Sequence, residues 1–223
     1  MKSDPFSKGK FNIMLLSGLI TVVILVFSAI LHEIAHGYVA ERLGDPTARL
    51  MGRLTLNPVK HIDPFMSILL PLLLILSGSP VVFGAAKPVP VDPFNLKEGR
   101  KDMAIVSIAG PLTNVLIAII ASGLIKIIFF YPGTFSVLAS SVLLIVVQIN
   151  LLLAIFNLLP IPPLDGSKVF ALLLPEKEAN AYLSLGSIGF FILFLLLLVP
   201  IGGLSLGQFI FNILTFLLRL LGL

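Results

Sequence analysis

The chain alternates between long apolar runs and shorter segments that hold most of its prolines and charges. The first apolar run, from about Phe11 to Leu43, predicts one long helix that ends at Gly44, because glycine commonly follows the last turn of a helix. Two further runs, at 103–130 and at about 135–159, predict two more long helices. A helix needs about 20 apolar residues to cross a membrane, and each of these runs is long enough. The pattern therefore predicts membrane-spanning helices.

The segments between these runs are less regular. Residues 44–63 are polar and rich in turn formers, whereas 64–83 are apolar but contain three prolines and are a poor straight helix. Residues 84–102 open by alternating proline with valine, which predicts an edge strand or an extended loop. Two more apolar runs, at 182–199 and 204–221, close the chain. We therefore expect an all-α polytopic membrane protein with about five to six transmembrane helices and a re-entrant or extended membrane-associated segment.

Composition supports a single integral membrane domain over residues 1–223, which we divide into a core at 11–174 and two C-terminal transmembrane helices at 175–223. The chain is 57% hydrophobic and 12% charged, and its mean hydropathy is +1.10. We attribute the net charge of +4 to membrane topology and expect no nucleic-acid partner, because the basic residues fall between apolar runs. The absence of cysteine excludes disulfides and thiolate metal sites.

The candidate chemistry lies at the end of the first run, where His32, Glu33 and His36 form the pattern H-E-x-x-H. Histidines four residues apart share one face of a helix, where they can bind one zinc ion. The intervening glutamate then lies where it can act as a general base on water at the metal. The two histidines are therefore candidate metal ligands, and Glu33 is the candidate catalytic residue.

A catalytic zinc site needs a third protein ligand, and Asp165 is the best candidate. It lies in a proline-broken apolar segment, where an isolated carboxylate needs a functional explanation. Glu41 follows His36 by five residues and so points away from the histidine face. His61 lies in a basic, turn-rich loop and is more easily explained as a loop residue or an outer partner of the site. The sequence thus predicts one Zn²⁺ held by His32, His36 and Asp165.

Three motifs in order along about residues 25 to 175 resemble the site-2 protease family of intramembrane zinc metalloproteases, in a compact form without a PDZ or CBS domain. The segment at 84–93 is also similar to the membrane-associated hairpin of that family. The motifs are His32-Glu33-Ile34-Ala35-His36, then Ala109-Gly110-Pro111 with Asn114, then Asn157-Leu158-Leu159-Pro160 with Leu164-Asp165-Gly166.

The resemblance implies a protease that hydrolyses peptide bonds in or near the transmembrane segments of other membrane proteins, within the lipid bilayer. It implies zinc at His32, His36 and Asp165, with Glu33 catalytic and Asn114 near the substrate or the oxyanion. The alternative for Asn114 is a hydrogen bond between helices. Two other functions remain open: a metal-binding transporter or permease, although no internal repeat is found, and a structural membrane protein.

Topology follows from the requirement that His36 and Asp165 meet at one zinc ion. The chain between them must cross the membrane an even number of times, so the run 64–83 should enter the membrane and return. The two basic loops that flank this run would then share one side, which the positive-inside rule places in the cytoplasm. We therefore expect an active site toward the cytoplasmic face, in the cell membrane of a prokaryote.

Overall fold

The computed structural model describes residues 5–69, 73, 76, 86–199 and 205–223, and the regular structure within them is helical. The prediction of an all-α protein is confirmed for this part of the chain. Short 3-10 helices occupy Pro58–His61, Pro93–Asn95 and Ala171–Leu173, and a π-helix occupies Pro64–Leu69. The α-helices with described bounds are α1 (Pro5–Arg42), α2 (Thr47–Leu50), α3 (Arg100–Phe129), α4 (Thr134–Asn157), α5 (Asp165–Phe170), α6 (Glu176–Ser184), α7 (Gly186–Leu198) and α8 (Leu206–Leu220).

The three long helices α1, α3 and α4 pack against one another and form the bundle that carries the candidate site. Where α3 meets α4, Ala118 and Ala121 are buried together with Val147 and Leu151. Small side chains allow two helix backbones to approach closely, and close packing drives helix association where lipid replaces water. The sequence of α3 is therefore suited to a tightly packed bundle in a membrane.

The outer faces of this bundle are apolar. Large side chains that remain exposed include Leu19 and Val23 on α1, Leu116 and Ile120 on α3, and Leu138 on α4. Apolar patches of this extent are unfavourable in water and are stable against lipid chains. The protein is therefore embedded in a membrane.

The described residues support fewer spans than the five to six predicted. In the described part of the chain, only α1 from Leu16 onward, α3 and α4 are long and apolar enough to cross a membrane. A fourth span is obtained only if α6 and Ile188–Leu197, which are bent by 72°, count as one. Helix α8 has 15 residues, or about 22 Å at 1.5 Å per residue, which is less than the ~30 Å hydrocarbon core. The count of five to six spans therefore stays a prediction, because apolar composition does not show where a run is broken into shorter helices and most of residues 70–85, together with 200–204, lie outside the described residues.

The polar segment after α1 is tied to the segment before α3 by a buried carboxylate. Gly44 has a φ of 115° and so ends α1 in the conformation that favours glycine. Asp45 is fully buried and accepts hydrogen bonds from the backbone N–H groups of Thr47 and Asp92 and from the side-chain amide of Asn95. Burial raises the pKa of Asp45, but these hydrogen bonds outweigh it and hold that pKa below its usual range.

Residues 86–92 are non-helical, as predicted, and form a loop held by hydrogen bonds to the preceding polar segment. Arg53 is buried and donates to the carbonyl oxygens of Lys87 (2.7 Å) and Pro88 (3.2 Å). The N–H of Lys87 donates to the carbonyl oxygen of His61 (2.8 Å). The described residues of this loop form no strand, so the loop alternative is confirmed.

The apolar run 64–83 is described only in part. It begins with the π-helix Pro64–Leu69, and apart from residues 73 and 76 the remainder lies outside the described residues. Its re-entrant path therefore stays a prediction. The two flanks of the run are in contact, since the hydrogen bond between Lys87 and His61 joins them.

Helix α5 brings Asp165 to the bundle. The chain turns tightly before α5, and Gly166 lies so close to the backbone of Leu158 that a side chain would collide with it. Helix α5 packs against α3, and Arg100 at the start of α3 donates to the carbonyl oxygen of Ala171 at 2.7 Å. These contacts fix the first residue of α5 opposite α1.

Candidate active site

The structure brings His32, His36 and Asp165 together, although 133 positions separate His32 from Asp165 in the chain. Nε2 of His32 lies 3.1 Å and Nε2 of His36 lies 3.2 Å from Oδ2 of Asp165. The two Nε2 atoms are 3.0 Å apart. All three residues are buried. In the part of the chain that the structure describes, this is the one group of three or more metal-ligating side chains with converging donor atoms.

The ring of His36 is oriented by a backbone carbonyl. Its Nδ1 lies 2.7 Å from the carbonyl oxygen of Val106 on α3. A carbonyl oxygen can only accept, so Nδ1 must carry the proton and donate. The lone pair of Nε2 is therefore directed at the cluster, which is the arrangement found in metal-ligating histidines.

His32 has an equivalent partner in Asn114. Its Nδ1 lies 2.6 Å from Oδ1 of Asn114, which is fully buried on α3. This contact is on the side of the ring opposite Nε2, so Asn114 lies on the far side of the imidazole from Asp165. Its position resembles the outer partners that orient metal-binding histidines. The geometry therefore favours the alternative of a hydrogen bond between helices for this residue.

The donor set fits a zinc ion. With protons on both Nδ1 atoms, the two Nε2 lone pairs and the carboxylate oxygen are three acceptors with no hydrogen between them. Such a group repels itself unless a cation lies within it. Ligand atoms about 2.0–2.1 Å from a tetrahedral zinc ion are about 3.3 Å apart, close to the spacing observed here. His32, His36 and Asp165 are therefore suited to hold one zinc ion and to leave a fourth position open.

Gly110 on α3 provides space beside the two imidazoles. A Cβ atom at this position would lie 2.5 Å from Nε2 of His36 and 2.6 Å from Nε2 of His32. Atoms in folded proteins do not approach so closely, so any side chain here would displace the histidines. The absence of a side chain at Gly110 keeps the region around the converging nitrogen atoms open.

Glu33 is half-buried and contacts the loop 86–92. Its Oε2 accepts a hydrogen bond from the backbone N–H of Val89 at 2.7 Å. The flanking residues Pro88 and Pro90 have no N–H, so Val89 supplies the one backbone donor in this tripeptide. Val89 fits closely because Gly37, one turn after Glu33, has no side chain: a Cβ there would lie 2.8 Å from Cγ1 of Val89.

Glu41 and His61, which the sequence did not favour as the third metal ligand, lie outside the cluster. Glu41 forms an ion pair with Arg49, and Nε2 of His61 bonds to the carbonyl oxygen of Thr55 at 2.8 Å. Asp165 has one further neighbour, since Nζ of Lys168 is 3.4 Å from its second carboxylate oxygen. Sequence reasoning missed the carbonyl of Val106 and the N–H of Val89. Backbone groups carry no residue-type signal, so only the fold reveals them.

Comparison with known proteins places this geometry in a family. The chain matches peptidase family M50 over residues 20–140 and 121–200. It is 40% identical to YwhC of Bacillus subtilis (strain 168) over 185 residues, which is 81% of either chain. It is 32% identical to Rip2 of Mycolicibacterium smegmatis over 176 residues, which is 78% of this chain and 65% of Rip2. It is 38% identical to MJ0611 of Methanocaldococcus jannaschii over 91 residues, which is 40% of this chain and 45% of MJ0611.

These three relatives are all named as zinc metalloproteases. No solved structure matches the chain. The transporter alternative finds no support in these matches, and the family match covers most of the bundle and the segment that carries Asp165. The chain belongs to peptidase family M50 and is a membrane-embedded zinc metalloprotease of the site-2 protease kind.

Proposed function

We propose that His32, His36 and Asp165 bind the zinc ion and that Glu33 is the general base of the protease. The observation that carries this proposal is the convergence of two Nε2 atoms and one carboxylate oxygen within 3.0–3.2 Å of one another. The bundle buries all three ligands, and a buried group of acceptors needs a cation.

Zinc, when bound, supplies the Lewis acid that polarises the peptide carbonyl and activates water. Glu33 takes the proton from the attacking water and delivers it to the leaving amine. The hydrogen bond from Val89 holds one of its carboxylate oxygens. The other oxygen is then free to face the water. Asn114 and the carbonyl of Val106 keep both imidazoles in the form that binds metal.

The proposed substrates are transmembrane segments of other proteins. The family acts on peptides, and a site enclosed by membrane helices is reached most directly by a substrate in the same bilayer. A peptide bond in a helix is shielded by its hydrogen bonds, so the substrate must be extended locally. The non-helical loop 86–92 lies beside Glu33 through Val89, and this position supports strand addition of the substrate along the loop.

The active site is proposed to lie toward the cytoplasmic face of a prokaryotic cell membrane. The two basic loops are in contact, because Arg53 bonds to Lys87 and Asp45 bonds to the N–H of Asp92. The two loops that flank the run 64–83 are therefore on the same side, as a returning segment requires. Basic loops are retained in the cytoplasm.

The function is tested by Glu33→Gln in the full-length protein. We expect stoichiometric zinc and loss of cleavage of single-span substrates by at least about a hundredfold, because the general base is removed while the ligands remain. Glu41→Gln, on the same helix, is the matched control and should cleave normally. Full cleavage by Glu33→Gln would overturn the assignment of the base.

The membrane side is tested with single cysteines at Lys60 and Lys97, which are exposed in the two basic loops. The chain has no cysteine of its own. Both should react with an impermeant thiol reagent from the cytoplasmic side of oriented vesicles. Reaction of the two from opposite sides would show that the run 64–83 crosses the membrane and would contradict the proposed topology.

A further inference from the structure

A buried row of polar side chains continues from His32 across all three long helices. Beyond Asn114, Nδ2 of that residue lies 2.8 Å from Oδ1 of Asn150 on α4. Nδ2 of Asn150 lies 2.9 Å from Oγ of Ser28, which returns the row to α1. Asn114 and Asn150 are 0% exposed and Ser28 is 5% exposed. Because these groups are buried, each must satisfy its hydrogen bonds with other groups of the protein.

The direction of the hydrogen bonds in the row follows from the backbone carbonyl oxygens that its amide groups contact. Nδ2 of Asn114 lies 3.5 Å from the carbonyl oxygen of Ser28. Nδ2 of Asn150 also lies 2.9 Å from the carbonyl oxygen of Val146. A carbonyl can only accept, so the NH₂ group of Asn150 must face it, and Oδ1 of Asn150 must face Asn114. Asn114 must then present its own NH₂ group to Asn150 and its oxygen to His32. Nδ1 of His32 consequently has to donate.

We propose that Asn150 is a positioning residue for the metal site, which fixes the tautomer of His32 through Asn114. With Asn150 in place, Nδ1 of His32 carries the proton and Nε2 offers a lone pair to zinc. Without it, the amide of Asn114 could rotate and present its NH₂ group to Nδ1. The proton would then be on Nε2, where it would occupy the lone pair that the metal requires.

This role differs from a bond that merely joins helices. A joining bond would serve equally well in either direction, whereas metal binding by His32 requires one direction only. His36 does not need such a row, because the carbonyl of Val106 contacts it directly. The side-chain amide of Asn114 could face His32 in two ways. The acceptor on Asn150, at 2.8 Å, selects one of them, and a longer contact of 3.5 Å from Nδ2 of Asn114 to the carbonyl oxygen of Ser28 acts in the same sense.

The proposal rests on the assignment of His32 as a zinc ligand, and the experiment measures zinc affinity of the detergent-solubilised full chain with a competing chelator. Asn150→Leu removes the acceptor that faces Asn114, and we expect the dissociation constant for zinc to rise by about tenfold or more. Gln148→Leu is the matched control: it removes an exposed carboxamide from the same helix and should leave zinc affinity unchanged.

Two further variants separate direction from packing. Asn150→Asp, protonated in this buried position, keeps one acceptor and one donor, and should bind zinc within about threefold of the unaltered protein. Ser28→Ala should have a similarly small effect, because the carbonyl of Val146 still directs Asn150. If Asn150→Asp loses zinc as strongly as Asn150→Leu, or Ser28→Ala does so, the proposed origin of the direction is wrong.

The nitrogen chemical shifts of His32 in the zinc-free protein report the tautomer directly. We expect the Nδ1–H form in the unaltered chain and in Asn150→Asp, and a substantial Nε2–H population in Asn150→Leu. An unchanged tautomer in Asn150→Leu would overturn the proposal. His32→Ala distinguishes this failure from a wrong ligand assignment: if it retains full zinc affinity, His32 is not a ligand, whereas loss of zinc there leaves only the role of Asn150 in question.

Discussion

The two sides of the candidate active site are built in different ways. On the bundle side, His32 and His36 are buried, and groups on α3 hold their Nδ1 atoms. On the loop side, Glu33 is half-buried, and a single backbone N–H from Val89 holds it. The bundle side uses rigid helices that pack against one another, whereas the loop side uses an irregular segment anchored by Arg53 and Asp45.

This difference indicates that the bundle side serves metal binding and the loop side serves proton transfer. Metal binding requires three ligands at fixed spacing, and helix packing supplies that rigidity. The proposed proton transfer requires a carboxylate that carries a proton from water to the leaving group. A loop beside an extended substrate gives this carboxylate space to move. Changes on the bundle side should therefore remove zinc, whereas changes on the loop side should lower the rate with zinc still bound.

The largest effect is expected for Asp165→Ala on the bundle side. It removes a proposed ligand and leaves two histidines, so zinc affinity should fall by more than about a hundredfold, with loss of cleavage. Zinc content after dialysis against a weak chelator is the measurement. Glu176→Ala, which removes an exposed acid from α6, is the control. Stoichiometric zinc with unchanged affinity in Asp165→Ala would show that another residue is the third ligand.

Gly110→Ala should produce the next largest effect, because its methyl group would lie 2.5 Å from Nε2 of His36. The rings must move apart, and we expect about a tenfold or greater loss of zinc affinity, with overpacking that costs about 1–3 kcal/mol. Gly123→Ala is a matched control on the same helix, since nothing beyond its chain neighbours and the helix's own backbone lies within 4 Å of the added methyl group. It should be neutral or slightly stabilising. Equal zinc affinity in both variants would refute the need for space at Gly110.

Much of the bundle side could be predicted from the sequence, because its signals are residue types in unusual places. Two histidines four residues apart and an isolated aspartate in apolar surroundings can be recognised from the sequence as candidate metal ligands. The structure brings them together. Asn150 carried a weaker signal as an amide in an apolar run. Gln148 has the same character two residues earlier but is exposed, so polarity alone could not separate the two positions.

The loop side was less predictable, because backbone atoms form its contacts. The proline–valine alternation correctly excluded a helix over 86–92, but nothing in it showed that the N–H of Val89 reaches Glu33. Two full spans in the C-terminal part of the chain stay a prediction, because residues 200–204 between α7 and α8 lie outside the described residues. Apolar content indicates burial in lipid, whereas helix length depends on breaks that the long apolar runs do not reveal.

Arg53→Met tests the loop side, where a smaller effect is expected. It removes the donor to the carbonyl oxygens of Lys87 and Pro88, which should loosen the loop and displace the N–H of Val89 from Glu33. We expect kcat to fall by about three- to tenfold, since displacement of the proposed general base slows the reaction, with zinc content unchanged. Arg49→Met removes an exposed arginine of the same segment and is the control. Loss of zinc in Arg53→Met would show that the two sides are not separable.

The smallest effect is expected for Asn212→Leu on α8, outside both sides of the site. Asn212 accepts a hydrogen bond from Gln208 at 3.0 Å on an exposed face, whereas Ile210 is the buried residue that anchors α8 to the core. Loss of one exposed hydrogen bond should change stability by less than about 0.5 kcal/mol. Zinc affinity and kcat should both match the unaltered protein. Because α8 contributes no ligand and no contact to Glu33 in the described residues, a marked loss of zinc here would extend the metal-binding side of the comparison beyond α1, α3, α4 and α5.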